Sequence, residues 1–314
     1  LDALPIQEIN KLPYVSKNPG VSHTCGHDGH MTILIGLASW LQKEIKNLHG
    51  KVILLFQPAE ETAEGAKLVL KDPNFSSIRP DYVFALHNLP GFKQDSIIVK
   101  KDVFSSASKG LIVKLIGKTS HAGHPENGNN PVFAMVEIIK KLTQIPKNIA
   151  TDSNNLLVTI IHTKLGEMAF GTSPGEAVVM ATFRSQHDKY MDLMSKEAVD
   201  LVKKTAEGHQ LSYNVDWVEV FPATVNDNEC VGVIVSSANL LKKDVIINEH
   251  PFSWSEDFSY FTQEIKGAMF GIGSGMGHAQ LHNPDFDFPD SILDTGVDLF
   301  QEIIREISKK YNGE

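Results

Sequence analysis

Lys51-Val52-Ile53-Leu54-Leu55-Phe56-Gln57 is an apolar run of strand length that leads straight into Pro58-Ala59-Glu60-Glu61. A second such run, Tyr82-Val83-Phe84-Ala85-Leu86, ends on His87, and residues 64–70 between them carry a helical pattern. Upstream, Ile33, Leu37, Trp40, Leu41, Ile45 and Leu48 also recur at helical spacing. Short buried strands alternating with helices predict a parallel α/β sheet. Ligands of such sheets gather at the carboxyl ends of strands, where Glu60, Glu61 and His87 fall.

Those positions carry chemistry. Five residues read as metal ligands: Cys25 and His27 in Cys-Gly-His-Asp-Gly-His, Glu61, His87, and His282 in Gln-Leu-His-Asn-Pro. A closed structural zinc site takes four ligands, so five suit two ions that share a bridging ligand and keep positions open for water and substrate. Adjacent acids are usually a solvated face. At the rim of a buried sheet, however, two like charges are costly unless cations are present. Neighbouring side chains point different ways, so one of Glu60 and Glu61 can bind metal while the other holds the attacking water. Cys25 and His27, spaced i, i+2 in a glycine-flanked turn, can converge on one ion. His30 reads as a helix-start residue, and the case for His23 is weaker still. The glycine run 271–277 lacks both the following helix and the Lys-Ser/Thr of a phosphate loop.

The pattern changes near Ser105-Ser106-Ala107-Ser108. A strand (111–116), a helix (131–142), two strands (156–162 and 176–184) and a helix (189–206) predict a small α+β unit with an antiparallel sheet. Parallel α/β character resumes after Asn214, with a strand over 215–220, a helix over 230–241 and Ser253-Trp254-Ser255-Glu256 as a capping box. Because His282 lies beyond the middle unit, the catalytic domain is expected to be discontinuous, over 1–106 and 215–314, with 107–214 inserted.

A length of 314 residues agrees with two domains. Hydrophobic content of 42% and charged content of 21% are those of a globular protein. The net charge of −9, with Lys and Arg spread along the chain, argues against nucleic acid or an anionic membrane surface as partner. No apolar run is long enough to cross a bilayer, since the one over 33–48 is broken by Ser39, Gln42, Lys43, Glu44 and Lys46. The two cysteines, Cys25 and Cys230, argue against a disulfide framework and for a reducing, cytoplasmic compartment. Leu1-Asp2-Ala3-Leu4-Pro5 has neither an initiator Met nor a signal-peptide pattern, and is expected to start mid-strand in a longer chain.

Taken in order, Asp2-Ala3-Leu4-Pro5-Ile6, Cys25-Gly26-His27-Asp28-Gly29-His30, Gln57-Pro58-Ala59-Glu60-Glu61, Leu86-His87, Ser120-His121-Ala122, Ser255-Glu256-Asp257-Phe258 and Leu281-His282-Asn283-Pro284 span nearly the whole chain. In these motifs the chain resembles the dinuclear metal-dependent amidohydrolases grouped with aminoacylase, succinyl-diaminopimelate desuccinylase and carboxypeptidases. It looks closest to the branch of indole-acetyl-amino-acid hydrolases, hippurate hydrolases and N-acetyl-diaminopimelate deacetylases. The resemblance implies two divalent ions (Zn, Mn, Co or Ni) on Cys25, His27, Glu61, His87 and His282, with Cys25 as the bridge. It implies Glu60 as general base and Asp2 behind the ligands. It also implies a lid domain, matching the inserted unit, that forms a homodimer and supplies His121 to polarise the scissile carbonyl, across the dimer. Arg184 would grip a substrate carboxylate.

The expected activity is therefore hydrolysis of the amide bond of a small N-acyl amino acid or amine. The alternatives are a dinuclear aminopeptidase or dipeptidase, and an idle metal-binding protein on the same fold. One departure bears on the substrate: Gly171-Thr172-Ser173-Pro174 stands where the family has Asn-Val-Ile-Pro, so the amide side chain that helps hold substrate is absent.

Overall fold

The Tyr82–Pro90 strand and the Lys266–Gly275 strand run parallel and in register, from Tyr82 opposite Lys266 to His87 opposite Gly271. The computed structural model describes residues 2–149 and 155–311. Their pairing begins a four-stranded sheet, continued by Ile97–Val99 and Val245–Ile247. Ile97–Val99 is parallel to Val245–Ile247 and antiparallel to Lys266–Gly275, so the sheet is mainly parallel. The glycine run begins inside the Lys266–Gly275 strand. A Cβ at Gly271 would lie 2.1 Å from Leu89 Cδ1, and one at Gly273 would lie 2.0 Å from the Lys93 carbonyl. These glycines are there for close packing, not for phosphate.

Helices cover this sheet because their apolar residues repeat on one face. His27–Glu44 buries Ile33, Leu37 and Leu41. Leu293–Lys310 buries Leu299, Phe300 and Ile303, and Asn228–Leu240 buries Val231, Ile234 and Ala238. All join one core with Phe270 and Ile272 of the central strand. The Asp227 carboxylate caps the Asn228–Leu240 helix by accepting from the N–H groups of Glu229 and Cys230.

The chain forms two compact units: Leu1–Phe104 with Thr224–Pro251 and Glu256–Glu314, and Ser105–Ala223 with Phe252–Ser255. The second unit is an antiparallel sheet in the order Leu157–Leu165, Glu176–Ser185, Ala107–Ile116, Ser212–Phe221. Glu176–Ser185 alternates buried and half-buried residues along its length, as a one-sided sheet requires. The buried faces of the Val132–Leu142 and Asp188–Gly208 helices carry Ala134, Ile138 and Leu142, and Met191, Met194, Ala198 and Val202.

Three sequence expectations are corrected here. Residues 51–57 are not a buried strand: they have no ladder partner among the described residues, and Val52, Leu55 and Phe56 are 39%, 38% and 42% exposed. Apolar character fits a strand, but only a neighbour's backbone makes one. The strand over 215–220 exists, but it pairs antiparallel with Ala107–Ile116, Trp217 opposite Leu111 and Val215 opposite Val113. The second unit therefore runs to Ala223 instead of ending at 214. Ser253-Trp254-Ser255-Glu256 caps no helix: the next one, Ser259–Thr262, starts after Phe258 without a side-chain cap. Instead, Ser106 binds this segment, its N–H donating to the Phe252 and Trp254 carbonyls. Among the described residues no helix is long and apolar enough to cross a membrane.

Candidate metal centre

Gly26 makes the turn that brings Cys25 and His27 together. It sits at φ 92°, and a Cβ there would lie 2.5 Å from the Asn88 side-chain oxygen and 2.9 Å from the Phe288 ring. No other residue fits that space. His27 opens its helix, while Cys25 is buried with Sγ 3.4 Å from His87 Nε2. His87 stands on the Tyr82–Pro90 strand, and its Nδ1 bonds the Asn88 carbonyl oxygen at 2.8 Å, which leaves Nε2 facing Cys25. His282 adopts φ 64°, and its N–H donates to the Thr24 carbonyl at 2.8 Å, so the last candidate ligand is tied to the first loop.

The two acids are delivered by a strained turn instead of a strand end. Ala59 and Ala63 bracket them at φ 58° and 59°, in the left-handed region that non-glycine residues adopt at a cost of order 1–3 kcal/mol. The Glu64 and Gly65 N–H groups close the turn on the Ala59 carbonyl. His27 Nε2 lies 3.9 Å from Glu60 Oε2 and 3.8 Å from Glu61 Oε1, and His282 Nε2 lies 3.6 Å from Glu61 Oε1. Asp2 accepts the Glu61 N–H at 2.8 Å, so it holds the backbone of that residue.

Three donor groups result, each with ligand atoms within 4.8 Å of one another: Cys25, His27 and His87; Cys25, Glu61 and His282; and Asp2, His27 and Glu60. Cys25 belongs to the first two.

The electrostatics fit cations. Burial pushes His27 down to about 3 and His87 to about 4, so both imidazoles are neutral and offer lone pairs. Burial, then Asp2, lifts Glu61 to about 7; burial, then Asp257 and Glu61, lifts Glu60 well above the carboxylate range. Cys25 is raised by burial and then by Glu61. Glu61 Oε1 is buried with no hydrogen-bond partner, an orphan that a bound ion would satisfy. Thiolate, imidazole and carboxylate donors in the two groups that share Cys25 suit two divalent ions.

Sequence pattern singled out three of the supporting residues for no role at the centre. Glu256 is buried, with Oε1 3.8 Å from His87 Nε2. Its neighbour Asp257 accepts from Gln57 Nε2 at 2.7 and 2.9 Å and from the Ala66 N–H at 2.8 Å, while the Asp257 N–H donates to Glu60 Oε1 at 3.3 Å. Glu256-Asp257 is a second acid pair, so the cost of like charges that flags Glu60-Glu61 applies to it equally. His30, in the first turn of its helix, puts its ring 4.8 Å from that of His87 and 5.5 Å from that of His27, with Nε2 2.6 Å from the Asn88 side-chain oxygen. It braces the rings of two candidate ligands.

His121 and Arg184 lie in the second unit. His121 is exposed on the two-residue strand Ser120–His121, and the Gly123 N–H donates to its Nδ1 at 3.0 Å. A neutral ring accepting there carries its proton on Nε2, where it is a donor. Arg184 donates through Nη1 to the Ser253 carbonyl at 2.7 Å, which secures the Phe252–Ser255 segment.

The model of peptidase family M20/M25/M40 matches residues 1–306. The chain belongs to this family. It is 30% identical to the hippurate hydrolase of Campylobacter jejuni over 96% of this chain and 79% of that protein. It is also 30% identical to an N-acetyl-L-cysteine deacetylase of Bacillus subtilis, over 93% of this chain and 69% of that one. A solved Bacillus subtilis structure described as a dinuclear metal-binding peptidase of the M20 family superposes with a TM-score of 0.80, at 25% identity over 98% of this chain and 80% of that one. A putative aminohydrolase from methicillin-resistant Staphylococcus aureus shares the fold, with a TM-score of 0.87 at 24% identity over 98% of this chain and 80% of that one. As an M20 protein the chain is a hydrolase with a centre for two divalent metal ions.

Proposed function

We propose that this chain hydrolyses the amide bond of N-acyl amino acids at a centre that two ions would occupy, with Cys25 placed to serve both. The observation that carries the proposal is that Cys25 belongs to two donor groups at once, with Glu60 beside them. Cys25, His27, Glu61, His87 and His282 would hold the ions. The ions, when bound, polarise the scissile carbonyl and activate water at neutral pH. Thiolate and imidazole donors favour Zn, Mn, Co or Ni over magnesium or calcium. Glu60 takes the proton of the attacking water and hands it to the leaving nitrogen. Asp2 fixes Glu61 through its backbone N–H. His121, with Nδ1 occupied by Gly123, donates from Nε2 to the oxyanion. Arg184 grips the substrate carboxylate with the N–H groups it does not spend on Ser253.

The second unit acts as lid and as homodimer interface in this proposal. Its Leu157–Leu165 edge strand leaves Leu157 and Ile161 exposed, and an exposed edge invites pairing with a second copy. If His121 acts across the dimer, mixing His121→Ala with Glu60→Gln subunits restores activity; a fully active monomer contradicts it. The cytoplasm, where Cys25 stays reduced, is the proposed location.

The test of the activity is a screen of N-acetyl, N-benzoyl and indole-acetyl amino acids against free dipeptides. Hydrolysis of an N-acyl substrate is expected, abolished by chelation and restored by added Zn, Mn, Co or Ni. Turnover of free-amine dipeptides alone, or full activity after exhaustive chelation, would count against the proposal.

A further inference from the structure

Asn88 follows His87 on the Tyr82–Pro90 strand and is wholly buried. It reaches two imidazoles. Its backbone carbonyl bonds His87 Nδ1 at 2.8 Å, and its side-chain oxygen lies 2.6 Å from His30 Nε2. The same oxygen is where a Cβ on Gly26 would collide, at 2.5 Å, so the turn between Cys25 and His27 rests directly on the Asn88 amide.

His30 stands outside the three donor groups found among the described residues, yet its ring touches two members of the first. It lies 4.8 Å from the His87 ring at 74° and 5.5 Å from the His27 ring at 37°, with the Phe288 ring 6.1 Å away. An imidazole that can rotate gives its neighbours no fixed wall, whereas one held at Nε2 by a buried amide does. All of these contacts lead to Cys25, His27 and His87, and none of them reaches Glu61 or His282. The side chain of Asn88 thus joins the turn that presents Cys25 and His27 to the strand that presents His87. Groups that fix the rings behind metal-binding imidazoles are worth roughly 10–100-fold in metal affinity.

We propose that Asn88 is a positioning residue for the ion that Cys25, His27 and His87 would hold, and that it acts through His30. This rests on the two-ion reading. Zinc alone is titrated into metal-free wild type, Asn88→Leu, His30→Phe and the double variant, with stoichiometry read by elemental analysis and affinity by competition with a chromophoric chelator. Wild type is expected to bind two zinc ions. Each single variant is expected to keep one at wild-type affinity and to hold the other at least about tenfold more weakly. The double variant is expected to lose no more than the worse single one, because both substitutions remove the same bond. With His282→Ala added, which breaks the second donor group, Asn88→Leu is expected to weaken the remaining ion by the same factor. Circular dichroism verifies the fold, and if Asn88→Leu does not fold, His30→Phe decides. Two ions at wild-type affinity in a folded variant, equal weakening of both ions, or losses that add in the double variant overturn the role of Asn88 and leave the two-ion reading standing. A wild-type chain that binds no zinc overturns both.

Discussion

Glu60-Glu61 and Glu256-Asp257 are the same kind of sequence, two neighbouring acids packed beside imidazoles, and the fold uses them differently. In the first pair both side chains reach toward His27, at 3.9 and 3.8 Å. In the second the side chains diverge. Glu256 faces His87, while Asp257 turns back to receive Gln57 and the Ala66 N–H. The first pair presents donors, and Asp257 of the second secures the loop that presents them. Adjacent acids therefore do not share a role by sharing a composition; the backbone decides which way each one points.

The comparison can be broken at four places. Glu60→Gln keeps shape and metal ligands but removes the proton acceptor, so turnover should fall by roughly 10² to 10⁴ fold with metal content unchanged. Kinetics beside elemental analysis measure both, and metal loss in this variant would exchange the roles of Glu60 and Glu61. Glu61→Gln removes an anionic donor, and one ion should bind at least roughly tenfold more weakly, read by chelator competition. Asp257→Asn weakens two donors' hold on a buried carboxylate, and urea unfolding should show a loss of about 1–3 kcal/mol while both ions still bind at saturating zinc. Normal stability with metal lost would mean that Asp257 is itself a ligand. The smallest effect is expected away from both pairs: Asp227→Ala removes a helix cap at a cost of about 1 kcal/mol and leaves kcat unchanged.

How much of this was legible in sequence differs between residues. Cys25, His27, Glu61, His87 and His282 stand in short motifs whose residue types bind metal wherever they converge, and the structure groups them. Glu60 and Glu61 were placed at the end of a strand that does not form. They reach the centre through the left-handed turn at Ala59, and nothing in Pro58-Ala59 announces a positive φ on an alanine. The strand around 215–220 was visible from its pattern, but its partner was not, because sheet membership is set by pairing across a hundred residues of chain. Ser253-Trp254-Ser255-Glu256 has the spacing of a capping box, and tertiary bonds from Ser106 and Arg184 claim the segment instead. Glu256 becomes conspicuous only when its burial beside His87 is known.

The central claim is that two ions share Cys25. Anomalous diffraction at the zinc edge from crystals of the zinc-loaded chain tests it directly. Two peaks about 3.5–4 Å apart are expected, the spacing of two-metal sites, each within bonding distance of Cys25 Sγ, with His27, Glu61, His87 and His282 around them. A single peak, or two peaks of which only one touches Cys25, would contradict it.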